Sequence, residues 1–435
     1  MKSNLQTGVA SALLIFTLLL SGLLAARPAL AQTSTAPAAC ASTVTVQAGD
    51  TLSTIALRTL GSMGAYTRIV TATNAAAAQD SSFATIANPN QLVVGWKLCL
   101  PAGAGVAVAT PRAALAQATP APTATQDERP PIDPVTLTLT WLAQQETPGS
   151  AITVEEVLAP GSNYDRYVVS YLSDGNRINA YMTVPQGTAP ATGWPAIIFN
   201  HGYIPPTVYR TTERYIAYQD AFARNGYIVF RSDYRGHAFS EGEANGAYGD
   251  PGYTIDVLNA LASVKADPRV DSARIGMWGH SLGGYITLRA MVVNDDIKAG
   301  VIWAGVVGSY TDMLENWRRN PNTVPASIPQ SARRWRDDLV AQMGAPAANP
   351  VYWNSISANS YLDTLSGPVQ LHHGTADEDV PVAFSQTLGD EIEAAGGGVE
   401  YYEYAGDNHN LSNSLALALQ RSVAFFDEHV KNATP

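Results

Sequence analysis

Residues 274–285, with the sequence RIGMWGHSLGGY, constrain the possible fold of this chain more than any other stretch. Apolar residues 275–278 predict a short buried strand, and the apolar run 285–293 predicts a helix. Between them, Gly279-His-Ser281-Leu-Gly283 fits the Gly-x-Ser-x-Gly pattern of a serine held at a sharp strand-to-helix turn. Such a turn cramps the backbone, so the residues two positions before and after the serine must lack side chains. The sequence therefore predicts an exposed Ser281 hydroxyl above a helix N-terminus, which favours developing negative charge.

Alternating strands and helices are predicted on both sides of this turn. Strands with hairpin connections precede it, and Asp174-Gly175 suits one of the turns. Short apolar runs separated by helical stretches are typical of a mainly parallel sheet covered on both faces, so the predicted fold class is α/β. The antiparallel strands are expected at residues 136–142, 152–158, 166–172 and 177–185, and the remaining strands at residues 196–199, 227–231, 275–278, 299–303, 369–372 and 399–404.

A serine nucleophile needs a base and an acid that orients the base. In a sheet of this kind the partners lie on later loops, in the chain order Ser, acid, His. His409 is the predicted base because it lies in the last loop before the terminal helix. The loop after residues 369–372 offers three neighbouring acids, Asp377, Glu378 and Asp379, of which Asp377 is nearest the strand end.

Two backbone N–H groups are expected to bind the negative oxygen that forms when the serine attacks a carbonyl. The first is that of Leu282, directly after the nucleophile. The second is expected in the loop after an early strand, and residues 199–203 fit that loop, with the Tyr203 N–H as the chosen donor.

Four motifs occur between residues 194 and 430: Gly279-His-Ser281-Leu-Gly283-Gly284-Tyr285, His373-Gly374-Thr-Ala-Asp377-x-x-Val380-Pro381, Asp407-Asn-His409 and Asp233-Tyr-Arg235-Gly236-His-Ala-Phe-Ser240. Through these motifs the segment resembles the prolyl oligopeptidase (S9) branch of the α/β-hydrolases. The resemblance implies an α/β-hydrolase fold, Asp377 as the acid, and cleavage of peptide or acyl bonds without a metal or an organic cofactor.

Peptide is not the only substrate class compatible with these motifs. The strands before the catalytic sheet are too few for the bladed propeller of several S9 relatives, and no acidic pair is evident for gripping a substrate amino terminus. A carboxylesterase acting on acetylated glycan or small esters is therefore an alternative.

An insertion at about residues 307–361 is expected to form a helical lid. It contains Trp317, Trp335 and Trp353 together with an arginine cluster. The arginines could hold an acidic or aromatic substrate group. Alternatively, the tryptophans form the core of the insertion and the arginines a solvated face. The cluster consists of Arg318, Arg319, Arg333, Arg334 and Arg336.

A small module is predicted at residues 43–101, in the order strand, helix, helix, strand. It resembles the LysM family of glycan-binding modules through Val44-x-Val46-x-x-Gly49-Asp50-Thr51-Leu52-x-x-Ile55-Ala56, Tyr66-x-x-Ile69, Asn74 and Asn88-Pro89-Asn90-x-Leu92-x-x-Gly95-x-x-Leu98-x-Leu100-Pro101. The resemblance implies binding of peptidoglycan or another N-acetylglucosamine polymer. The esterase alternative then includes acetylated wall glycan as a substrate, and a wall-binding protein with an inert hydrolase domain is a third possibility. The implied contact residues are Gly49, Asp50, Thr51, Asn88 and Asn90, although Asp50 could instead be only a helix cap.

The two cysteines, Cys40 and Cys99, flank this module. Antiparallel pairing of the first and last strands would bring their sulfur atoms within bridging distance. Because an exported chain meets an oxidising compartment, we expect a disulfide, which would stabilise the module by about 3–4 kcal/mol.

Residues 1–31 are typical of a cleaved signal peptide. Lys2 precedes an apolar run at residues 9–24, and Ala29-Leu-Ala31 fits a cleavage site. A linker rich in Ala, Pro and Thr is expected at residues 102–131, before a hydrolase domain at 132–432. The formal charge of −11 argues against nucleic acid as a partner. The chain is thus expected to be secreted or cell-wall associated, and its oligomeric state is left open.

Overall fold

A computed structural model describes residues 40–47, 52–60, 66–86, 92–101, 132–317 and 334–433. The chain divides between Val108 and Ala109 into two compact units. The predicted signal peptide at residues 1–31 and the linker at 102–131 lie outside the described residues. So do all five predicted glycan contacts, Gly49, Asp50, Thr51, Asn88 and Asn90.

The smaller unit has the predicted order of strand, helix, helix and strand. Strands β1 and β2 pair antiparallel, and the helices pack apolar side chains such as Ile55 and Ile69 against Leu98. The elements are β1 (Cys40–Thr45), α1 (Leu52–Leu60), α2 (Tyr66–Ala77) and β2 (Lys97–Pro101).

A disulfide and a pair of hydrogen bonds connect the elements of this unit. Cys40 and Cys99 form the expected disulfide, with their Cα atoms 5.4 Å apart, which is an ordinary separation for such a bridge. The side chain of Asn74 accepts from the Ile86 N–H at 2.7 Å and donates to the Ile86 carbonyl at 3.0 Å. Helix α2 is thereby tied to the segment that leads back to β2.

The larger unit is built on one nine-stranded sheet. Its strand order is β11-β10-β9-β8-β6-β7-β5-β4-β3. Strands β6 to β11 run parallel, whereas β5 pairs antiparallel with β7 and continues into an antiparallel meander with β4 and β3. The strands are β3 (Thr153–Leu158), β4 (Tyr164–Ser173), β5 (Asn176–Pro185), β6 (Trp194–Asn200), β7 (Ile228–Ser232), β8 (Val270–His280), β9 (Ile297–Trp303), β10 (Val369–Gly374) and β11 (Val399–Tyr404).

Helices cover both faces of this sheet, as predicted for the α/β class. Apolar residues of α5, α6 and α10 form one core, and those of α4 and α11 form a second core. The helices are α3 (Leu139–Ala143), α4 (Ile216–Arg224), α5 (Gly252–Lys265), α6 (Leu282–Val293), α7 (Tyr310–Glu315), α8 (Trp335–Met343), α9 (Pro350–Ile356), α10 (Val382–Ala394) and α11 (Leu415–Phe426). None of the helices in the described ranges is long and apolar enough to cross a bilayer.

The strand predicted at residues 136–142 is wrong. The chain there forms a 3₁₀ helix, Pro134–Leu137, followed by α3. The side chain of Asp133 caps the first helix, and that of Thr138 accepts from the Trp141 N–H to cap the second. The alternating threonines and leucines resemble a strand, but the caps favour helix, and the buried Leu139 and Leu142 are spaced three residues apart on one helical face.

The insertion at 307–361 is helical where the structure describes it, with α7, α8, α9 and a 3₁₀ helix, Ala358–Thr364. Residues 318–333 lie outside the described residues, and with them Arg318, Arg319 and Arg333. The three tryptophans belong to the main hydrophobic core rather than to an open surface. Arg334 is exposed, whereas the guanidinium of Arg336 lies 5.0 Å from the Trp317 ring and 4.7 Å from the Trp335 ring.

Candidate active site

The turn between β8 and α6 has the predicted strained geometry, although Ser281 as a whole is only 5% exposed. Ser281 has φ 55° and ψ −116°, a backbone conformation that residues other than glycine rarely adopt. A Cβ atom on Gly279 would collide with the carbonyl of Gly283, and one on Gly283 would collide with the backbone of Asn200 at the end of β6. The two glycines therefore permit both the tight turn and the close approach of α6 to β6.

A buried carboxylate follows β10. The side chain of Asp377 is fully buried. Its Oδ2 accepts from His409 Nδ1 at 2.7 Å and from His373 Nε2 at 3.0 Å, and its Oδ1 accepts from the N–H groups of Asp379 and Val380 at 2.8 and 2.9 Å. Within the described residues, Asp377 is the only one of the three candidate acids that forms a hydrogen bond with His409. Glu378 is exposed.

The electrostatics of this carboxylate favour its charged form. Burial alone raises the pKa of Asp377, but the hydrogen bonds from His373 and His409, the charge of His409 and the Val380 N–H outweigh it. Together they hold the pKa of Asp377 well below its usual range. The acceptor is therefore permanently negative at neutral pH.

His409 is oriented by this carboxylate. Because Asp377 can only accept, the proton of the neutral His409 ring lies on Nδ1, and Nε2 is left as the basic nitrogen. The His409 carbonyl accepts from His280 Nε2 at 3.0 Å, and His280 directly precedes Ser281. The loop after β11 is thereby joined to the turn that carries the serine.

The loop after β6 supplies backbone N–H groups beside the serine. A Cβ placed on Gly202 would lie 3.2 Å from Cβ of Ser281. The Gly202 N–H donates to the Tyr215 hydroxyl at 3.0 Å, so it is not available to a substrate. His201 Nδ1 donates to the Gly202 carbonyl at 2.7 Å. In a trans peptide the next N–H, that of Tyr203, points away from that carbonyl.

Leu282 is the first residue of α6. Its N–H has no partner within the helix, as is general for the first turn. The structure therefore brings together the predicted positions Ser281, Leu282, Tyr203, Asp377 and His409 at the carboxyl ends of neighbouring parallel strands, where ligands bind in open α/β sheets.

Four further side chains at this site have contacts that the sequence did not predict. His201 is buried and stacked between Tyr209 and Tyr234, with ring centroids 4.5 and 4.2 Å away. Burial, followed by the proximity of His237, lowers the pKa of His201 well below its usual value. The others are His373, which bonds Asp377, and the pair Tyr215 and His280. The positions of His201, His280 and His373 beside glycines in the loop motifs could have indicated a role, whereas no motif contains Tyr215.

Two known protein families match segments of this chain. The profile of the prolyl oligopeptidase family matches residues 214–433. The chain belongs to the prolyl oligopeptidase family. Residues 44–101 match the LysM domain, so both resemblances stated from the sequence are confirmed. As a prolyl oligopeptidase family member, the chain is a serine hydrolase.

Curated relatives of this family differ in length from the chain. The uncharacterized peptidase YtmA of Bacillus subtilis (strain 168) is 25% identical over 252 residues, covering 58% of this chain and 88% of YtmA. A probable dipeptidyl-aminopeptidase B of Ajellomyces capsulatus (strain H88) is 25% identical over 296 residues, covering 62% of this chain but 29% of that protein. The chain thus spans less than a third of the longer relative.

Solved structures share the fold of the larger unit. The acylaminoacyl peptidase of Pyrococcus horikoshii superposes with a TM-score of 0.50 and 19% identity, covering 63% of this chain and 43% of that chain. An acetyl xylan esterase from Paenibacillus sp. R4 superposes with a TM-score of 0.52 and 18% identity, covering 66% of this chain and 92% of that chain. The larger unit therefore has the α/β-hydrolase fold.

We predict that Gly283→Ala disrupts the serine turn. The added methyl group would meet the backbone of Asn200, which cannot rotate away, so we expect a loss of about 3 kcal/mol in unfolding free energy. Gly389→Ala is the matched control, because its Cβ would find no atom nearer than 3.9 Å and alanine favours the helix by about 0.5–1 kcal/mol. Urea unfolding of both variants measures the difference, and equal stabilities would contradict the prediction.

We predict that Asp377 contributes to stability only above acidic pH. Because its pKa is lower in the folded chain than in the unfolded chain, the contribution is fully present above the unfolded value of about 4 and is lost as pH falls toward the folded value. The difference in unfolding free energy between wild type and Asp377→Asn should therefore shrink as pH is lowered from 6 to 2. Glu378→Gln, at the exposed neighbour, should leave the wild-type curve unchanged. A difference that is constant with pH would refute this role.

Proposed function

We propose that this serine hydrolase cleaves peptide or acyl bonds by a Ser281–His409–Asp377 triad. Ser281 attacks an acyl carbonyl, and His409 takes the serine proton and then donates it to the leaving group. Asp377 holds His409 in the reactive tautomer and stabilises its charged form. The N–H groups of Leu282 and Tyr203 bind the oxyanion of the tetrahedral intermediate.

The hydrogen bond between Asp377 and His409 is the observation that best supports this proposal. It joins a fully buried carboxylate to a ring that is 14% exposed, so the acid is shielded while the base can meet a substrate. The residues come from loops after two adjacent strands and follow the serine in the chain order expected of this fold. Family membership supports the same chemistry.

A peptide is the substrate class that we propose first, because YtmA, which is similar over 88% of its length, carries the name of a peptidase. An ester is the second candidate. The acetyl xylan esterase is covered over 92% of its chain, so a chain of this architecture also accommodates ester hydrolysis.

We predict that Ser281→Ala lowers turnover by about 10⁴–10⁶-fold and abolishes labelling by a fluorophosphonate. The reason is that no other group of the site can form the acyl intermediate. Hydrolysis of a panel of peptide anilides and short acyl esters measures the loss and identifies the substrate class.

Turnover of esters alone would exclude the peptidase assignment. A wild-type chain that neither turns over the panel nor reacts with the fluorophosphonate would leave the wall-binding function as the remaining one.

The LysM unit implies glycan binding, and we propose that it tethers a secreted enzyme to peptidoglycan or another N-acetylglucosamine polymer. The signal peptide proposed at residues 1–31 and the disulfide support export, because such bonds persist in oxidising compartments.

We predict that the Ser281→Ala chain sediments with insoluble peptidoglycan or chitin. Inactivation of the serine keeps the matrix and the chain intact during the assay. Asp50→Ala and Asn90→Ala should reduce retention, whereas Asp80→Ala, at an exposed carboxylate of the same unit, should not. Failure to sediment with either polymer would refute the tether.

A further inference from the structure

A series of three hydrogen bonds joins the three loops of the proposed site. The Gly202 N–H donates to the Tyr215 hydroxyl at 3.0 Å. The same hydroxyl lies 2.7 Å from His280 Nδ1, and His280 Nε2 lies 3.0 Å from the carbonyl oxygen of His409. Gly202 follows β6, His280 ends β8, and His409 follows β11, so the series connects the oxyanion loop, the nucleophile turn and the base loop.

The direction of every bond in this series is determined. A carbonyl oxygen only accepts, so His280 carries its proton on Nε2. Burial, followed by the proximity of His409, lowers the pKa of His280 to about 3, so the ring is neutral and Nδ1 is an acceptor. Tyr215 therefore donates to His280 while its oxygen accepts from Gly202. A hydroxyl can both donate and accept, whereas a phenylalanine ring at this position could do neither.

Tyr215 is held in a strained backbone conformation. Arg214 and Tyr215 have φ values of 60° and 50°, which bulky residues avoid. The buried guanidinium of Arg231 on β7 donates to the Arg214 carbonyl at 2.6 Å, to the Glu213 carbonyl at 3.0 Å and to the Thr211 carbonyl. Strained backbone conformations persist only where the surrounding structure imposes them, and they are concentrated at functional sites.

The hydroxyl, rather than the ring, is the distinctive feature of Tyr215. Its ring makes ordinary edge contacts with Phe199 and Trp278, at centroid distances of 5.6 and 6.2 Å, which phenylalanine would preserve. Its hydroxyl instead fixes the peptide that leads into Gly202, while His201 fixes the peptide that leads out of it. Both peptide planes beside the serine are therefore set by side chains.

We propose that Tyr215 and His280 are positioning residues that hold the Tyr203 N–H in register with Ser281 and His409. The proposal rests on the triad function above and deepens it. Neither side chain touches the reacting atoms in this mechanism. Their effect is to keep the oxyanion donor and the base at a fixed separation, since the His280 imidazole is bonded directly to the His409 loop and through the Tyr215 hydroxyl to the Gly202 loop.

This role predicts a specific kinetic signature. The oxyanion exists in the transition state and not in the bound substrate, so a misplaced donor lowers kcat and leaves KM nearly unchanged. A transition-state analogue should lose affinity by the same factor as kcat/KM. Replacing a residue that only supports the fold would instead lower the melting temperature and leave kcat and inhibitor affinity unchanged.

The test uses the full chain with the best p-nitrophenyl ester and a trifluoromethyl ketone as the transition-state analogue. Tyr215→Phe should lower kcat and raise the inhibition constant by about 10–100-fold, less than outright deletion of an oxyanion donor, with KM within about twofold of wild type. Tyr227→Phe is the control, because it removes a buried hydroxyl that bonds Asp427 at 2.7 Å in the C-terminal segment. It should lower stability and leave kcat unchanged.

A second variant, His280→Phe, keeps an aromatic ring and removes both nitrogen atoms. If the series acts as one unit, the double variant Tyr215→Phe/His280→Phe loses no more than the more severe single variant. Should Tyr215→Phe fail to fold, His280→Phe is judged by the same criterion, namely parallel losses of kcat/KM and of inhibitor affinity with KM nearly unchanged.

Two results separate the proposals. Suppose that wild-type turnover depends on Ser281. If Tyr215→Phe then keeps kcat and inhibitor affinity within about twofold of wild type, the positioning role is overturned and the triad stands. The same conclusion follows if the loss in the double variant equals the product of the losses in Tyr215→Phe and His280→Phe. If Ser281→Ala is as active as wild type, the triad fails, and the positioning role fails with it.

Discussion

The larger unit depends on a turn that can exist only because two side chains are missing. With Gly279 and Gly283 in place, Ser281 adopts a positive φ, and the start of α6 lies against the backbone of Asn200. That contact brings the loop after β6 next to the serine. One steric condition therefore sets both the backbone conformation of the proposed nucleophile and the position of the backbone N–H groups proposed to stabilise the oxyanion.

Burial shifts the pKa values of several polar side chains in the larger unit. Burial lowers the pKa of His372 to about 3 and that of His237 to about 4. Burial raises the pKa of Asp233 to about 7 against the donors Thr211 and Tyr209. Asp377 is the contrasting case, because its four hydrogen bonds overcome burial. Asp377 is therefore charged and contacts the proposed base, whereas burial keeps the His237 and His372 rings neutral at neutral pH.

Much of this site could be predicted from the sequence, for identifiable reasons. The elbow glycines and the order of Ser281, Asp377 and His409 reflect local steric and topological requirements, which leave marks in short motifs. Asp377 was preferred over Glu378 because it is nearest the strand end and because the family resemblance implies it. The hydrogen bonds that hold its carboxylate inward come from the Asp379 and Val380 N–H groups, which leave no mark in a sequence. The helical start at 134–143 was missed because its threonines cap helices while imitating strand alternation.

Tyr215 shows why the rest could not be predicted. It precedes the helix α4 among several tyrosines, and nothing in its neighbours marks it. Its hydroxyl matters because β6, β8 and β11 end at the same edge of the sheet, which brings together residues up to 207 positions apart, from Gly202 to His409. Long-range convergence of this kind is a property of topology and leaves no local pattern.

The disulfide between Cys40 and Cys99 has a consequence beyond stability. The two cysteines bracket nearly the whole smaller unit, so a protease that cuts once anywhere between them produces two segments still joined through sulfur. The catalytic unit would then stay attached to whatever the smaller unit holds, and release would require a second cut, a reductant, or cleavage beyond Cys99.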